Sequence, residues 1–394
     1  SPVRRSSPSA MLNVPTLVLL LVSCFLWAGA LRPAAAEQPE PIVVAAVFAR
    51  TGHGSLQSLP SYDMVQLAAK MVNDRGGVLG RPIKLLEFDS KSTALGARWA
   101  ALQAVGAGVV AVIGPSWSSQ AMVMAPILQE AGIPMIATTA TAAGITGLGD
   151  YIFRVCYTNE FQAEALVRFA WENLGVRRAA ILTIADDIYS ETLSDEFSER
   201  FVGRGGRIET RLRYLQTAVD FGEQLAAVQA ASPDLVFVPG YTGDAGLILR
   251  QARRLGLAMP FLGGDGWTGL EQYDHLGPLA GDNYHTSHWH PSIDSPASRV
   301  LTNALTEQYG EEALGMMDAG NATEYDALNL LVDAIRRAGC IDRVAIRDAL
   351  ATTQEFPGVS GSISYQGSRD PAKPIVVLRV ASGGAAYVTR MEPR

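Results

Sequence analysis

Val109-Val110-Ala111-Val112-Ile113-Gly114-Pro115-Ser116-Trp117-Ser118-Ser119 is the stretch on which the fold turns. Five apolar residues too few for a buried helix run into a Gly-Pro break, and a serine then opens a new apolar periodicity that continues to about residue 131. This is a strand, a turn and a helix whose first residue carries a hydroxyl. Gly132-Ile133-Pro134 closes that helix and starts the next short strand, Ile133 to Ile136. A continuous apolar strand followed by a helix and a second such strand is the unit of a parallel sheet covered on both faces.

The same unit recurs in both directions. Strands are expected at 42–48, 83–88, 179–184, 235–238 and 260–262, with helices at 62–75, 94–106, 160–174, 189–203, 219–230 and 243–256. Several helices stop at glycine, as at Gly76-Gly77, Gly175 and Gly256, which suits the left-handed position past a helix end. The series is too long for one sheet, and its rhythm restarts at 151–157 after the irregular stretch 138–150. After Asp282–Pro291 come helices at 296–309, 321–338 and 343–350 and apolar strands at 359–365 and 374–380. The expected architecture is α/β, with two doubly wound lobes joined by three crossings near 157, 285 and 365. Residues 37–157 with 286–365 form lobe I, and 158–285 with 366–394 form lobe II.

Residues 1–36 read differently. Arg4 and Arg5 precede an uncharged run from Leu17 to Ala30, and Ala34-Ala35-Ala36 stands before Glu37, the layout of a secretory signal cleaved after Ala36. Leu21-Val22-Ser23-Cys24 offers a second reading, a lipid anchor on Cys24. Either implies export. Removing 1–36 takes three arginines and no acid from a chain of net charge −7, leaving −10, which with no basic stripe argues against nucleic acid. Beyond the leader no apolar run reaches membrane-spanning length, and the exported protein is expected to be soluble. Cys156 and Cys340 remain, either bonded or both free.

No phosphate-binding glycine loop, nucleophile elbow or zinc-protease motif is present. His285, His288 and His290, with Asp282, are the one dense group of metal-ligand types. In an extended strand His285 points away from the other two, so a polar strand is favoured over a zinc site. Asp186 and Asp187 stand where a helix begins, and capping explains them better than general acid and base work. Neither catalytic residue nor cofactor is assigned.

In doubly wound sheets ligands sit beyond the carboxyl ends of the strands. Those turns carry Trp117 and Ser118, Thr139 and Thr141, Tyr189, Tyr241 and Thr242, and Asp265. A hydroxyl and free N–H groups at the start of a helix hold a carboxylate, and a carboxylate opposite them pairs with an ammonium. The set therefore fits a zwitterion held between two lobes.

With Met71 to Gly77, Val112-Ile113-Gly114-Pro115, Gly132-Ile133-Pro134 and Leu249 to Arg253 in order and spacing, the chain resembles the leucine/isoleucine/valine-binding proteins of bacterial ABC transporters over residues 41–380. The resemblance implies the type I periplasmic-binding-protein fold, an α-amino acid or analogue as ligand, an inner-membrane ABC permease as partner, a monomer and a periplasmic location. By position it implies that Ser118, Thr139 and Thr141 bind the ligand's α-carboxylate and α-ammonium, that Tyr189 and Tyr241 line the second lobe, and that Asp265 pairs with the ammonium. Two departures appear: Gln57 stands where branched-chain binders place an aromatic ring, and the stretch near Gly320 lacks another. Losing apolar ring area points to a larger or more polar ligand than leucine, with Trp117 and Trp267 as candidates to fill the space. The other readings are a ligand-sensing receptor component of the same fold and an exported metal-dependent hydrolase.

Overall fold

The strand beginning the series, β1 (Ile42–Phe48), is apolar throughout and almost wholly buried, because parallel neighbours flank it on both edges and helices cover both faces. The computed structural model describes residues 39–270, 282–312, 319–381 and 384–393, and Pro41–Arg394 form one unit. The leader and its Cys24 lie outside the described residues. Among the described residues no helix is long and apolar enough to cross a membrane.

After β1 come α1 (Ser55–Asp74), β2 (Ile83–Asp89), α2 (Ala94–Gly106), β3 (Ala111–Ile113), α3 (Ser118–Glu130), β4 (Met135–Ala137) and β5 (Ile152–Arg154). The five strands make one parallel sheet in the order β2-β1-β3-β4-β5. Sequence order reverses at β1, so the loops after β1 and β3 diverge and open a crevice at their carboxyl ends.

The chain then crosses into a second set: α4 (Asn159–Glu172), β6 (Arg178–Ile184), α5 (Ile188–Gly203), β7 (Arg207–Tyr214), α6 (Gly222–Ala231), β8 (Leu235–Val238), α7 (Thr242–Arg254), β9 (Phe261–Gly263) and β10 (Tyr284–Ser287). A second crossing leads to α8 (Pro296–Tyr309), α9 (Ala319–Ala338), α10 (Arg343–Ala351) and the hairpin β11 (Phe356–Gly358) and β12 (Gly361–Ile363). A third returns to β13 (Ile375–Ala381) and β14 (Gly384–Met391). The second sheet runs β14-β13-β10-β9-β8-β6-β7, parallel except where β13 pairs with β10 and with β14.

Leu328, Leu331 and Ile335 of α9, with Ile346 and Leu350 of α10, pack into one core with Ile42, Val44 and Ile113 of the first sheet. The second sheet has its own core, in which Phe197, Phe201 and Phe237 stack. Strands β7 and β14 were not expected from the sequence. Each is an edge strand with exposed charged positions, and one-sided burial removes the continuous apolar run by which interior strands are read.

Buried ions brace the crossings. Arg154, at the end of β5, donates to the carbonyls of Ala140 and Ala142 at 2.9 Å each and to Asp370 at 2.5 Å. Asp326 on α9 accepts from the N–H groups of Val359 and Ser360 at 2.7 and 2.9 Å, and Lys373 lies 3.9 Å from it. Cys156 and Cys340 are both free: Cys156 is buried, which pushes its thiol up to about 12, and Cys340 is exposed.

Candidate functional site

The carboxyl ends of both sheets face one cleft of about 530 Å³, its mouth included. The first set of elements contributes Ser116, Trp117 and Ser118 from the loop after β3, Thr139 after β4, Ser58 and Ser61 from α1, and Glu324 from α9. The second contributes Tyr189 at the start of α5, Tyr241 before α7, and Asp265 and Thr268 after β9.

Ser118 is the first residue of α3, preceded by Trp117 in extended conformation. Its hydroxyl accepts from the Ala142 N–H at 3.1 Å, which leaves its own proton to donate. The first-turn N–H groups of a helix lack intrahelical partners, and the helix dipole adds positive potential. An anion is favoured at this point.

Thr139 donates its hydroxyl to the Ser116 carbonyl at 3.0 Å, so its oxygen keeps acceptor capacity toward the cleft. Thr141 is not on the cleft wall. Its carbonyl accepts from Asn159 at 2.7 Å, and its hydroxyl is buried without a hydrogen-bond partner. From Asn159 the bonding continues through Gln162, whose amide oxygen accepts the Asp265 N–H at 2.8 Å.

Asp265 opens a short 3₁₀ turn, Asp265–Trp267, directly after β9. Its Oδ2 accepts from His288 Nε2 at 3.0 Å, whereas Oδ1 is buried and unpartnered. Burial lowers the His288 pKa below 6.5, opposed in part by the hydrogen bond and charge of Asp265. The imidazole is accordingly neutral at pH 7, protonated on the nitrogen facing the acceptor-only carboxylate. It orients Asp265 without cancelling its charge.

The tyrosines are tied from behind. Tyr189 accepts the Gly266 N–H at 3.0 Å, and Tyr241 donates to Asp187 at 3.2 Å. Asp187 also caps α5 by accepting the Ser190 N–H at 2.8 Å. Burial, then the nearby acids, raises both phenol pKa values well above 10, so both stay protonated donors. Trp117 reaches across the cleft to Tyr241, ring centroids 5.2 Å apart, and Tyr241 continues to Tyr189 at 5.3 Å. Gly54 permits this: a Cβ there would fall 1.9 Å from the Trp117 ring. A Cβ at Gly264 would fall 2.3 Å from the Tyr189 hydroxyl, so close approach requires glycine there too.

Of the residues singled out in the sequence, the structure thus brings Ser118, Trp117, Thr139, Tyr189, Tyr241 and Asp265 onto one cleft. Gln57 belongs to α1, but its side chain, like those near Gly320, falls outside the described residues. Trp267 does not fill the cleft. It is fully buried in the second core with its Nε1 donating to the Val238 carbonyl at 3.0 Å. The histidines diverge: His285 meets the Thr286 carbonyl, His288 meets Asp265, and His290 meets Ser292 and the Ala385 carbonyl. Among the described residues no group of three metal-ligating side chains converges. Ser58, Ser61, Thr268 and Glu324 were missed by sequence reasoning. The i, i+3 spacing of the two serines is a faint signal, and Glu324, remote from every strand-end loop, gives none.

A family profile described as periplasmic binding protein matches residues 41–385. The Leu/Ile/Val-binding protein BraC3 of Rhizobium johnstonii is 28% identical over 307 residues, covering 76% of this chain and 80% of that one. Two solved structures superpose closely. The leucine binding protein LivK of Thermotoga maritima does so with a TM-score of 0.84 at 31% identity, covering 89% of this chain and 99% of its own. The branched-chain amino acid transporter substrate binding protein LivJ of Streptococcus pneumoniae, solved in complex with isoleucine, gives 0.81 at 25% identity, with coverage of 89% and 99%.

Proposed function

Given that the chain belongs to the periplasmic binding protein family, we propose that it is an exported, monomeric solute-binding protein that closes on an α-amino acid or close analogue and presents it to an ABC permease. The observation that carries this reading is the orphaned Oδ1 of buried Asp265 on one side of a cleft whose other side holds Ser118 and the start of α3. An unpartnered buried carboxylate oxygen costs free energy until a donor arrives, and an ammonium is the donor that suits its charge. A helix start suits the carboxylate of the same molecule. Ser118 and Thr139 would meet the α-carboxylate and α-ammonium, Asp265 the ammonium, and Tyr189, Tyr241, Trp117 and Gln57 the remainder.

The Trp117 to Tyr241 contact supports closure as the working motion, since both rings leave water only when the two sets of elements meet. Ligand bound between them favours the closed form, and a permease selecting that form couples transport to occupancy. The reading assigns no catalytic residue and requires no cofactor.

The test is thermal denaturation of refolded, ligand-free protein against L-α-amino acids and their N-acetylated forms. A ligand that binds only the native state at 100 times its Kd stabilises it by about 2.7 kcal/mol. A rise in Tm with a free amino acid, absent with its N-acetyl form and absent in Asp265→Asn, is expected. Equal response to the N-acetyl form would overturn the zwitterion assignment.

A further inference from the structure

Resting on the amino-acid reading above, we infer that Gln162 is a positioning residue for the ligand's ammonium, acting through Asp265. Gln162 is fully buried in the first turn of α4, just past the first crossing, and is not among the described residues that line the cleft. Its amide oxygen accepts from the Asp265 N–H at 2.8 Å and from the hydroxyl of Thr286, on β10, at 2.6 Å. Its amide nitrogen donates to Asn159 Oδ1 at 3.3 Å. Asn159 in turn donates from Nδ2 to the Tyr189 carbonyl at 3.1 Å, and from its backbone N–H to the Thr141 carbonyl at 2.7 Å.

The two ends of this relay fix its direction. The Asp265 N–H can only donate and the Tyr189 carbonyl can only accept, so each amide has one permitted orientation. A carboxylate at 162 would set an acceptor against Asn159 Oδ1 and a second negative charge behind Asp265, so the amide fits where the acid does not. Space is set as closely. A Cβ at Gly264 would fall 2.7 Å from the Gln162 amide oxygen and 2.3 Å from the Tyr189 hydroxyl, so the residue before Asp265 is glycine where these two side chains meet it.

Asp265 is thereby held at its N–H by Gln162 and at Oδ2 by His288, with Oδ1 buried and unpartnered. A carboxylate fixed at two points meets an incoming ammonium without first being ordered. The same turn of α4 reaches Thr141 after β4, Tyr189 at the start of α5 and Asp265 after β9, so loops of both sheets share one anchor. Without the Gln162 oxygen, the Asp265 N–H and the Thr286 hydroxyl would be buried with no acceptor there. The turn would shift to satisfy them, and Oδ1 would leave its place.

The experiment is isothermal titration of ligand-free full-length protein with the proteinogenic L-α-amino acids, and then with the tightest binder and its own α-hydroxy acid. The second step is run on the native chain, Gln162→Leu, Thr286→Val, Asp265→Asn, and Gln162→Leu combined with Asp265→Asn. The hydroxy acid keeps the carboxylate and side chain and replaces only the ammonium. The native chain should prefer the amino acid by at least about tenfold. Gln162→Leu should cut that preference by about tenfold while hydroxy acid affinity moves less than about threefold, and Thr286→Val should cut it by a smaller factor. In Asp265→Asn the preference is already lost, and adding Gln162→Leu should lower it no further. A packing role alone would weaken both ligands equally. Equal weakening or an unchanged preference in Gln162→Leu, or a further fall in the double variant, overturns the inference and leaves the amino-acid clamp standing. Should Gln162→Leu fail to fold, equal weakening or an unchanged preference in Thr286→Val decides in the same way. Equal binding of amino and hydroxy acid by the native chain, or binding of no free α-amino acid, overturns both readings.

Discussion

His288 Nε2 lies 3.0 Å from Asp265 Oδ2, with both side chains buried and the imidazole stacked on Tyr157 at 4.0 Å between ring centroids. One carboxylate oxygen is thereby held by a neutral donor while the other remains open. The charged groups that bear on this imidazole are Asp265 and Lys373, the second of which lowers its pKa further after the larger effect of burial.

Ligand affinity should therefore depend on pH through His288. Its folded pKa lies below the unfolded value of 6.5, so the stability it contributes is complete above 6.5 and is lost as pH falls through the lowered value. The same protonation places a cation against Asp265, where it competes with the ligand's ammonium. Titration calorimetry is expected to show constant affinity from pH 6.5 to 8 and roughly tenfold weaker binding once pH has fallen through the lowered value, the size of a lost charge-assisted hydrogen bond. His288→Gln, which keeps a donor that does not titrate, should flatten the acid limb. Parallel profiles for the two proteins would contradict this role.

Trp117→Ala should loosen the closed form. The ring contacts Tyr241 across the cleft, and such pairs contribute about 1 kcal/mol beyond buried area. Ligand binding is expected to weaken on the order of tenfold, with Trp117→Phe intermediate, and small-angle scattering of the saturated Trp117→Ala protein should show a larger radius of gyration than native. Unchanged affinity would make Trp117 a packing residue only.

Asp244 gives a signature opposite in sign to that of His288. Buried behind Tyr241, it accepts from the Tyr241 N–H at 3.0 Å and from the Tyr214 hydroxyl, and burial raises its pKa from 3.8 to about 6. A raised folded pKa gives stability that is complete below 3.8 and lost as pH climbs through 6. On the order of 3 kcal/mol is at stake. The Tm of the native chain relative to Asp244→Asn should fall between pH 4 and 7; a constant difference would show that Asp244 is not neutral in the acid range.

Asp326 and Lys373 are a buried pair whose burial pushes the acid up and the amine down to about 8. Removing one partner strands the other, so Asp326→Ala should cost roughly 3 kcal/mol or more in urea unfolding. Asp326→Ala with Lys373→Met should recover much of that loss, since no uncompensated charge remains. Equal loss in the double variant would instead assign the effect to the backbone N–H groups of Val359 and Ser360 that Asp326 caps.

How much of this was legible beforehand follows burial. Interior strands such as Ile42–Phe48 and Leu235–Val238 are apolar on both faces and announce themselves. Edge strands Arg207–Tyr214 and Gly384–Met391 do not, because half their side chains answer to water. That Ser118, Tyr241 and Asp265 would face the cleft was readable because strand-end turns are where a doubly wound sheet exposes side chains. Trp267 sat in such a turn and still faces the core, since the pitch of a 3₁₀ turn decides which of three neighbours points outward.

By itself the sequence determined the α/β class, the two series of parallel strands and the strand-end loops that line the cleft, because periodicity and punctuation are local properties of the chain. The partnership of His288 with Asp265 and the place of Glu324 beneath Ser61 and Ser116 were decided only by tertiary structure. Glu324 and Ser61 are 263 residues apart, and what brings them within 3.2 Å is the packing of α9 against α1 after the second crossing, to which no short-range pattern corresponds.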